Sequence, residues 1–447
     1  MTKTDYNAKM AIERIQKIYK NMEDVLDNLP DAFPKSMKNQ IKNLVFNDEE
    51  LKGLMEELES YRPPKIFLIG RTGVGKSSLV NAICGKYLAQ VNDVYSHTKW
   101  VDEYYYKDGE NTLMRILDTR GIAESYALDS KVTAEDTIKD QVKKFSPDVC
   151  IFMLNASHRD DVDSDVVFLK EISEDYKKHY GIDLPIVCVI NKVDELAPSR
   201  FKDPKEYPNS KNKNISEVVK YYGQIIKEEN LQVKDIIATS SLIDWQLGED
   251  FIDVSSINDL SQTDLENLEM GFDGRYGIDK LIDSLEEVII DNDALVGLKV
   301  ACRMENILID LSDKLIKIFS GFAATIALTP IPIADIYPLL ALQLILVSLI
   351  AGLGGRDISL KNAKEFILSI GGVGVAGNIF RITAQQILKF IPTAGNAIGA
   401  TIAAFGTKTI GEAAKNYYIE GIDLKKVKKT FRKKIKDEKK KGNLKTE

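Results

Sequence analysis

Apolar residues recur at helical spacing from the beginning of the chain. Met10, Ile15, Ile18, Met22, Val25 and Leu26 predict helix within residues 5–60, broken at Pro30 and Pro34 and resumed in DEELKGLMEELES. Pro63 and Pro64 close this stretch, and short apolar runs then alternate with charged helical segments. KIFLIG (65–70), WVDEYYY (100–106), TLMRILD (112–118), VCIFMLN (149–155), IVCVIN (186–191) and KDIIATS (234–240) are the strand candidates, and YGIDKLIDSLEEVII (276–290) reads as a closing helix. Such alternation predicts an α/β fold with a doubly wound sheet. Residues 195–230 and the acidic stretch around 242–272 do not fit a minimal version and read as surface insertions.

The pattern changes after Asp293. From Ile318 to Gly355 the only charge is Asp335, and a second uncharged run extends from Phe390 to Thr407. The chain therefore divides into an N-terminal helical segment (1–62), the α/β domain (63–290), a hydrophobic all-α domain (291–420) and a basic tail (421–447).

Composition sharpens this picture. A chain of 447 residues exceeds one ordinary core, and 44% hydrophobic with 28% charged residues is a folded profile. The net charge of −7 excludes a broad attraction to nucleic acid, yet residues 421–447 hold twelve Lys or Arg against four Asp or Glu. Cys84, Cys150, Cys188 and Cys302 stand among apolar neighbours without a Cys-x-x-Cys pair, as expected of buried thiols in a reducing cytosol. MTKTDYNAKMAIERIQ lacks an apolar stretch, so no secretory signal is expected there and the α/β domain is expected in the cytoplasm.

The chemistry sits at the strand ends. GRTGVGKSS starts at Gly70, between a strand and the helical stretch SLVNAICG, which is the setting of a phosphate-binding loop. Arg71, Thr72, Gly73, Val74, Gly75, Lys76, Ser77 and Ser78 are its candidate nucleotide contacts. The glycines let successive N–H groups turn inward, Lys76 suits the β and γ phosphates, and the Ser77 hydroxyl suits Mg²⁺. DTRG (118–121) supplies Asp118 as a second Mg²⁺ group and the Gly121 amide for the γ-phosphate. NKVD (191–194) selects the base: the Asp194 carboxylate can accept from guanine N1–H and N2–H₂, whereas adenine would leave it unpaired. Asn191 suits the base edge and the loop, the Lys192 stem suits the ring face, and Ser240 and Ser241 in TSS (239–241) stand where backbone N–H can reach O6. Thr98, 22 residues after Lys76, is the candidate switch threonine and third Mg²⁺ group, with Ser96 as its rival and a plain surface loop as the alternative. Lys76, Thr98 and Gly121 are the candidate catalytic residues. Arg71 and Arg120 border the site and read as ordinary surface arginines before they read as phosphate donors.

Together GRTGVGKSSLVNAI, Thr98, DTRGI, NKVD and TSS resemble the Era-like, translation-factor-class P-loop GTPases over roughly half of the chain. The resemblance implies GTP hydrolysis to GDP and phosphate with Mg²⁺ as cofactor. Ile122 stands where Ras-like enzymes carry a water-orienting Gln, a replacement shared by Era-like members. The water must then be positioned by another group, from a partner or from a second subunit of a homodimer. Gly73 occupies the position of the Asn found in potassium-activated relatives, so potassium acceleration is not implied. The sequence lacks the Cys-bearing C-terminal motif of the tRNA-modifying branch, so that branch is a poor assignment despite the shared domain. Residues 321–420, through IPTAGNAIGATIAAFGTKTIGEAAKNYYIEG, are similar to a hydrophobic helical domain of unknown function that follows GTPase domains in bacterial proteins.

IYPLLALQLILVSLIAGLGG (336–355) is long enough for a bilayer-crossing helix, and FIPTAGNAIGATIAAFGT (390–407), with its Gly395-x-x-x-Gly399 spacing, is near the lower limit. The leading expectation is a switch at a bacterial inner membrane, integral or associated through residues 318–407 and the basic tail. A peripheral domain and a soluble bundle are the alternatives. The tail also suits RNA, as in a ribosome or RNA assembly GTPase, or a solvated helix end. A GTP-binding scaffold with little turnover is the remaining reading.

Overall fold

The computed structural model describes residues 11–19, 35–92, 101–108, 111–119, 131–157, 162–328, 336–371 and 397–440. The chain resolves into two units, Ser60–Arg303 and Met1–Glu59 together with Met304–Glu447.

In the first unit every expected apolar run becomes a strand: β1 (Lys65–Gly70), β3 (Val101–Asp108), β4 (Asn111–Thr119), β5 (Val149–Asn155), β6 (Ile186–Asn191) and β7 (Asp235–Ala238). A short β2 (Ala89–Asn92) joins them, giving the seven-stranded order β2-β3-β4-β1-β5-β6-β7. β4, β1, β5, β6 and β7 run parallel, while β3 is antiparallel to both its neighbours. The central strands are buried along nearly their whole length because helices cover both faces, which is why their sequences are continuously apolar. Phe67, Ile69, Phe152, Cys188 and Ile190 face α5 (Lys131–Phe145), α6 (Val162–Tyr180) and α7 (Asn209–Glu228). α4 (Lys76–Cys84), α9 (Ile278–Val288) and α10 (Asn292–Cys302) lie on the opposite side. At the entry to β1, Arg62 makes a two-bonded pair with Asp148 at 2.7 and 2.9 Å.

Both presumed insertions belong to the architecture. Within 195–230, α7 buries Ile215, Val218, Tyr222 and Ile226, and the Tyr222 hydroxyl donates to Asn155 O at 2.7 Å. Within 242–272 lies a second sheet in which β8 (Ser240–Leu247) pairs antiparallel with β9 (Asp250–Ile252) and β10 (Glu269–Tyr276), with the short helix α8 (Gln262–Glu266) between the last two. Arg275 donates to Ala82 O at 3.0 Å, and Trp245 meets Tyr87 edge-on at 5.7 Å, so this sheet is fastened to the end of α4.

The second unit is all helical among the described residues. It comprises α1 (11–19), α2 (Lys35–Phe46), α3 (Glu49–Ser60, but for its last residue), α11 (Met304–Leu328), α12 (Ile336–Leu353), α13 (Leu360–Gly371), α14 (Ala397–Tyr418) and α15 (Leu424–Lys440). The spanning reading of 336–355 is corrected here. Leu339, Leu342, Ile345, Leu346, Val347, Leu349, Ile350 and Leu353 of α12 are buried against α11, α13 and α14. A helix apolar on all sides can be satisfied by surrounding protein. Among the described residues no helix is long and apolar enough to cross a membrane. Residues 390–396, with Gly395, lie outside the described residues. Close helix approach occurs at Gly411, where an added Cβ would stand 2.6 Å from Ile316 Cγ1. Cys84, Cys150 and Cys188 are buried free thiols, and Cys302 is half-buried.

Candidate nucleotide site

β1 delivers the chain into the loop 70–76 at the C-terminal edge of the parallel strands, and α4 departs from it. Gly73 (φ 80°) and Gly75 (φ 94°) are left-handed, a conformation that side chains disfavour. Gly75 has a second constraint, since a Cβ there would lie 2.7 Å from Asn191 Nδ2. Thr72 and Gly73 are exposed at the loop tip, and Ser77 and Ser78 are exposed on the first turn of α4. Val74 is buried and anchors the loop. Lys76 Nζ donates to Gly70 O at 2.7 Å and stands 3.3 Å from Asp118 Oδ1, at the end of β4.

The Arg71 guanidinium pairs with Asp165 on α6 at 2.8 Å. Its side chain is thus held by a carboxylate, as befits a structural arginine, and only its backbone belongs to the loop. Thr98, Ser96, Arg120, Gly121 and Ile122 lie outside the described residues.

The base loop is tied to the phosphate loop. Asn191, 1% exposed, donates from Nδ2 to Val74 O at 2.9 Å. Its Oδ1 accepts from Thr239 Oγ1 and Ser241 Oγ, each at 3.0 Å. Val193 N–H donates to Thr239 O at 3.1 Å, so 191–194 and 239–241 form one interlocked corner. Lys192 adopts φ 66°, which turns the chain sharply after β6. Its ammonium lies 3.5 Å from Glu195. Asp194 is buried, with Oδ1 accepting from Ser240 Oγ at 3.0 Å and Oδ2 from Lys202 Nζ at 2.9 Å.

Four residues here escaped the motif reading. Tyr106 on β3 shares a hydrogen bond with the Ser77 hydroxyl; burial pushes its own pKa up, and that bond opposes the shift. Asp102, 3% exposed, stands opposite Asp118 in the β3–β4 register. Their signal was faintly legible, because Asp102, Tyr104 and Tyr106 alternate onto one strand face. Lys202 and the fully buried Lys211 converge on Asp194 from the segment taken for an insertion. Burial lowers the Lys211 pKa, and the neighbouring Asp194 charge opposes that.

The donor types fit a hard divalent ion: Ser77 offers a hydroxyl in the first turn of α4 and Asp118 a carboxylate near the end of β4, and oxygen donors of this kind suit Mg²⁺. The parallel sheet, the glycine loop and the interlocked base corner give a surface for a nucleoside phosphate.

Comparison with known proteins agrees. Residues 65–192 match the family described as 50S ribosome-binding GTPase. The tRNA modification GTPase MnmE of Endomicrobium trichonymphae is 27% identical over 214 residues, covering 43% of this chain and 45% of its own. The GTPase Der of Clostridium kluyveri is 28% identical over 172 residues, covering 38% and 36%. The chain thus spans less than half the length of these curated relatives. Among solved structures, Toc33 from Arabidopsis thaliana aligns at 16% identity over 60% of this chain and 93% of that one, with a TM-score of 0.31. Residues 65–192 thus match this GTPase family, and the chain is similar in sequence to MnmE and Der over part of its length.

Proposed function

We propose that this chain binds GTP and hydrolyses it to GDP and phosphate as a molecular switch. The observation that carries the reading is the Asn191 side chain, which joins the phosphate loop at Val74 to the base corner at Thr239 and Ser241. One side chain thereby fixes the distance between phosphate and base recognition. Asp194 reads the guanine edge, and Asn191, Lys192, Ser240 and Ser241 shape its surroundings. The amides of 71–78 and the Lys76 ammonium hold the phosphates and neutralise charge that develops as water attacks the γ-phosphorus and the bond to the β-phosphate breaks. Ser77 and Asp118, with Thr98, would hold Mg²⁺, which would supply positive charge to offset that of the phosphates. The Gly121 amide contacts the γ-phosphate. Ile122 cannot orient water, so that role falls to a partner or a second copy of this chain. Single-turnover phosphate release from GTP, compared with Lys76→Ala, tests the proposal; equal release by both proteins would remove it.

A second reading concerns where the switch acts, and α15 favours a polyanion. Lys425, Lys429, Arg432, Lys433, Lys436 and Lys440 recur at helical spacing and are exposed, while Val427 on the opposite side is buried. The apolar side packs on α13 and α14, so this helix offers charge and not an apolar face. RNA or a ribosomal particle is the partner we favour, consistent with relatives named for tRNA modification and with a family described as ribosome-binding. An anionic membrane surface is the rival. Co-sedimentation with ribosomes and with anionic vesicles, with GTP and GDP and across a salt series, separates them. Sedimentation with vesicles alone would overturn the RNA reading.

A further inference from the structure

We infer that Lys202 is a positioning residue for base selection, holding the Asp194 carboxylate in the orientation that reads both donors of guanine. This rests on the guanine reading above. Beyond the 3₁₀ turn Val193–Glu195 the chain loops out and returns as α7, bringing two lysines back to Asp194. Lys211 is 0% exposed, and its ammonium donates to Asp194 O and Leu196 O, each at 2.7 Å, while lying 4.8 Å from the Tyr207 ring centre. It fixes the main chain. Lys202 instead reaches the carboxylate, at 2.9 Å from Oδ2, opposite the Ser240 hydroxyl at 3.0 Å from Oδ1.

Each carboxylate oxygen accepts about two hydrogen bonds. The protein fills one position on each, which leaves one on each for the N1–H and N2–H₂ donors of guanine. Without Lys202 the group is held at one oxygen only and turns about its Cβ–Cγ bond. Two-point recognition suffers first. A base lacking the exocyclic amine needs one oxygen and is affected less. The sequence motif contains no hint of this residue, which stands eight positions beyond Asp194.

The test is binding of GDP, IDP and ADP to the full chain by titration calorimetry, for wild type, Lys202→Met, Lys202→Arg and Lys211→Met. The Lys202 side chain is 42% exposed, so its substitution leaves the core intact. Lys202→Met is expected to weaken GDP about tenfold, the scale of a lost charge-assisted hydrogen bond, and IDP about twofold. Lys202→Arg restores the ratio, and Lys211→Met lowers both affinities alike. GDP binding by Lys202→Met as tight as wild type or tighter would show that Lys202 competes with the base. An equal fall for GDP and IDP would reduce it to a structural contact. Either result overturns the inference while the guanine reading stands. Wild type that binds ADP as well as GDP would overturn both.

Discussion

Asn191→Ala removes the side chain on which the site turns, and the structure sets its cost. Three hydrogen bonds disappear: one to Val74 O at 2.9 Å, and one each from Thr239 Oγ1 and Ser241 Oγ at 3.0 Å. Thr239 is 0% exposed and Ser241 9%, so water replaces these partners poorly. At about 1 kcal/mol for each neutral bond, the unit loses about 3 kcal/mol. Both tryptophans, Trp100 and Trp245, fall within Ser60–Arg303, so tryptophan emission in urea reports this unit alone. With a denaturant slope of about 3 kcal/mol per molar, the midpoint should fall by about 1 M. GDP affinity should fall as well, because the two loops lose their common tie. A midpoint within about 0.2 M of wild type would refute the claim that Asn191 is the structural link between the loops.

Gly75→Ala meets both a left-handed backbone and an Asn191 Nδ2 at 2.7 Å, so calorimetry should show about a hundredfold loss of GDP affinity; retention within about threefold would contradict the geometry. The Arg275 guanidinium holds the Asp273 carboxyl below its usual value of 3.8. Its contribution is present above that pH and is lost as pH falls through the lower folded value. Asp273→Asn should therefore destabilise the unit at pH 6, by under about 1 kcal/mol for a half-exposed pair, and the difference should shrink towards pH 3 in tryptophan-monitored unfolding. A constant difference would reject the linkage. In the helical unit, Gln343 is 1% exposed and donates to Thr407 Oγ1 at 3.3 Å, while its Oε1 has no partner among the described residues. Gln343→Leu should raise that unit's stability by about 1 kcal/mol, seen as a higher melting temperature in circular dichroism; a lower one would mean the amide is better satisfied than the contacts indicate.

The sequence by itself determined what short contiguous stretches can encode. KIFLIG, VCIFMLN and IVCVIN are strands because each is apolar throughout, and only a sheet covered on both faces buries such runs. The phosphate loop was legible because its glycines serve backbone geometry within eight residues. The small sheet was not, since β10 is buried at a single position and carries two acids and two glycines, so its pattern resembles a linker. β2, at four residues, is too short to show a period.

Tertiary structure alone decided the rest. An apolar helix has the same sequence whatever surrounds it, and only the tertiary structure shows that α11, α13 and α14 pack around α12. Residues 1–59 fall in one unit with 304–447 although the G domain separates them in the chain, because helix faces are matched in space and not in sequence. Lys202 and Lys211 look like any lysines in a charged segment. They acquire a role only because the loop after Glu195 and the first turn of α7 return them to Asp194, a contact that a local pattern cannot carry.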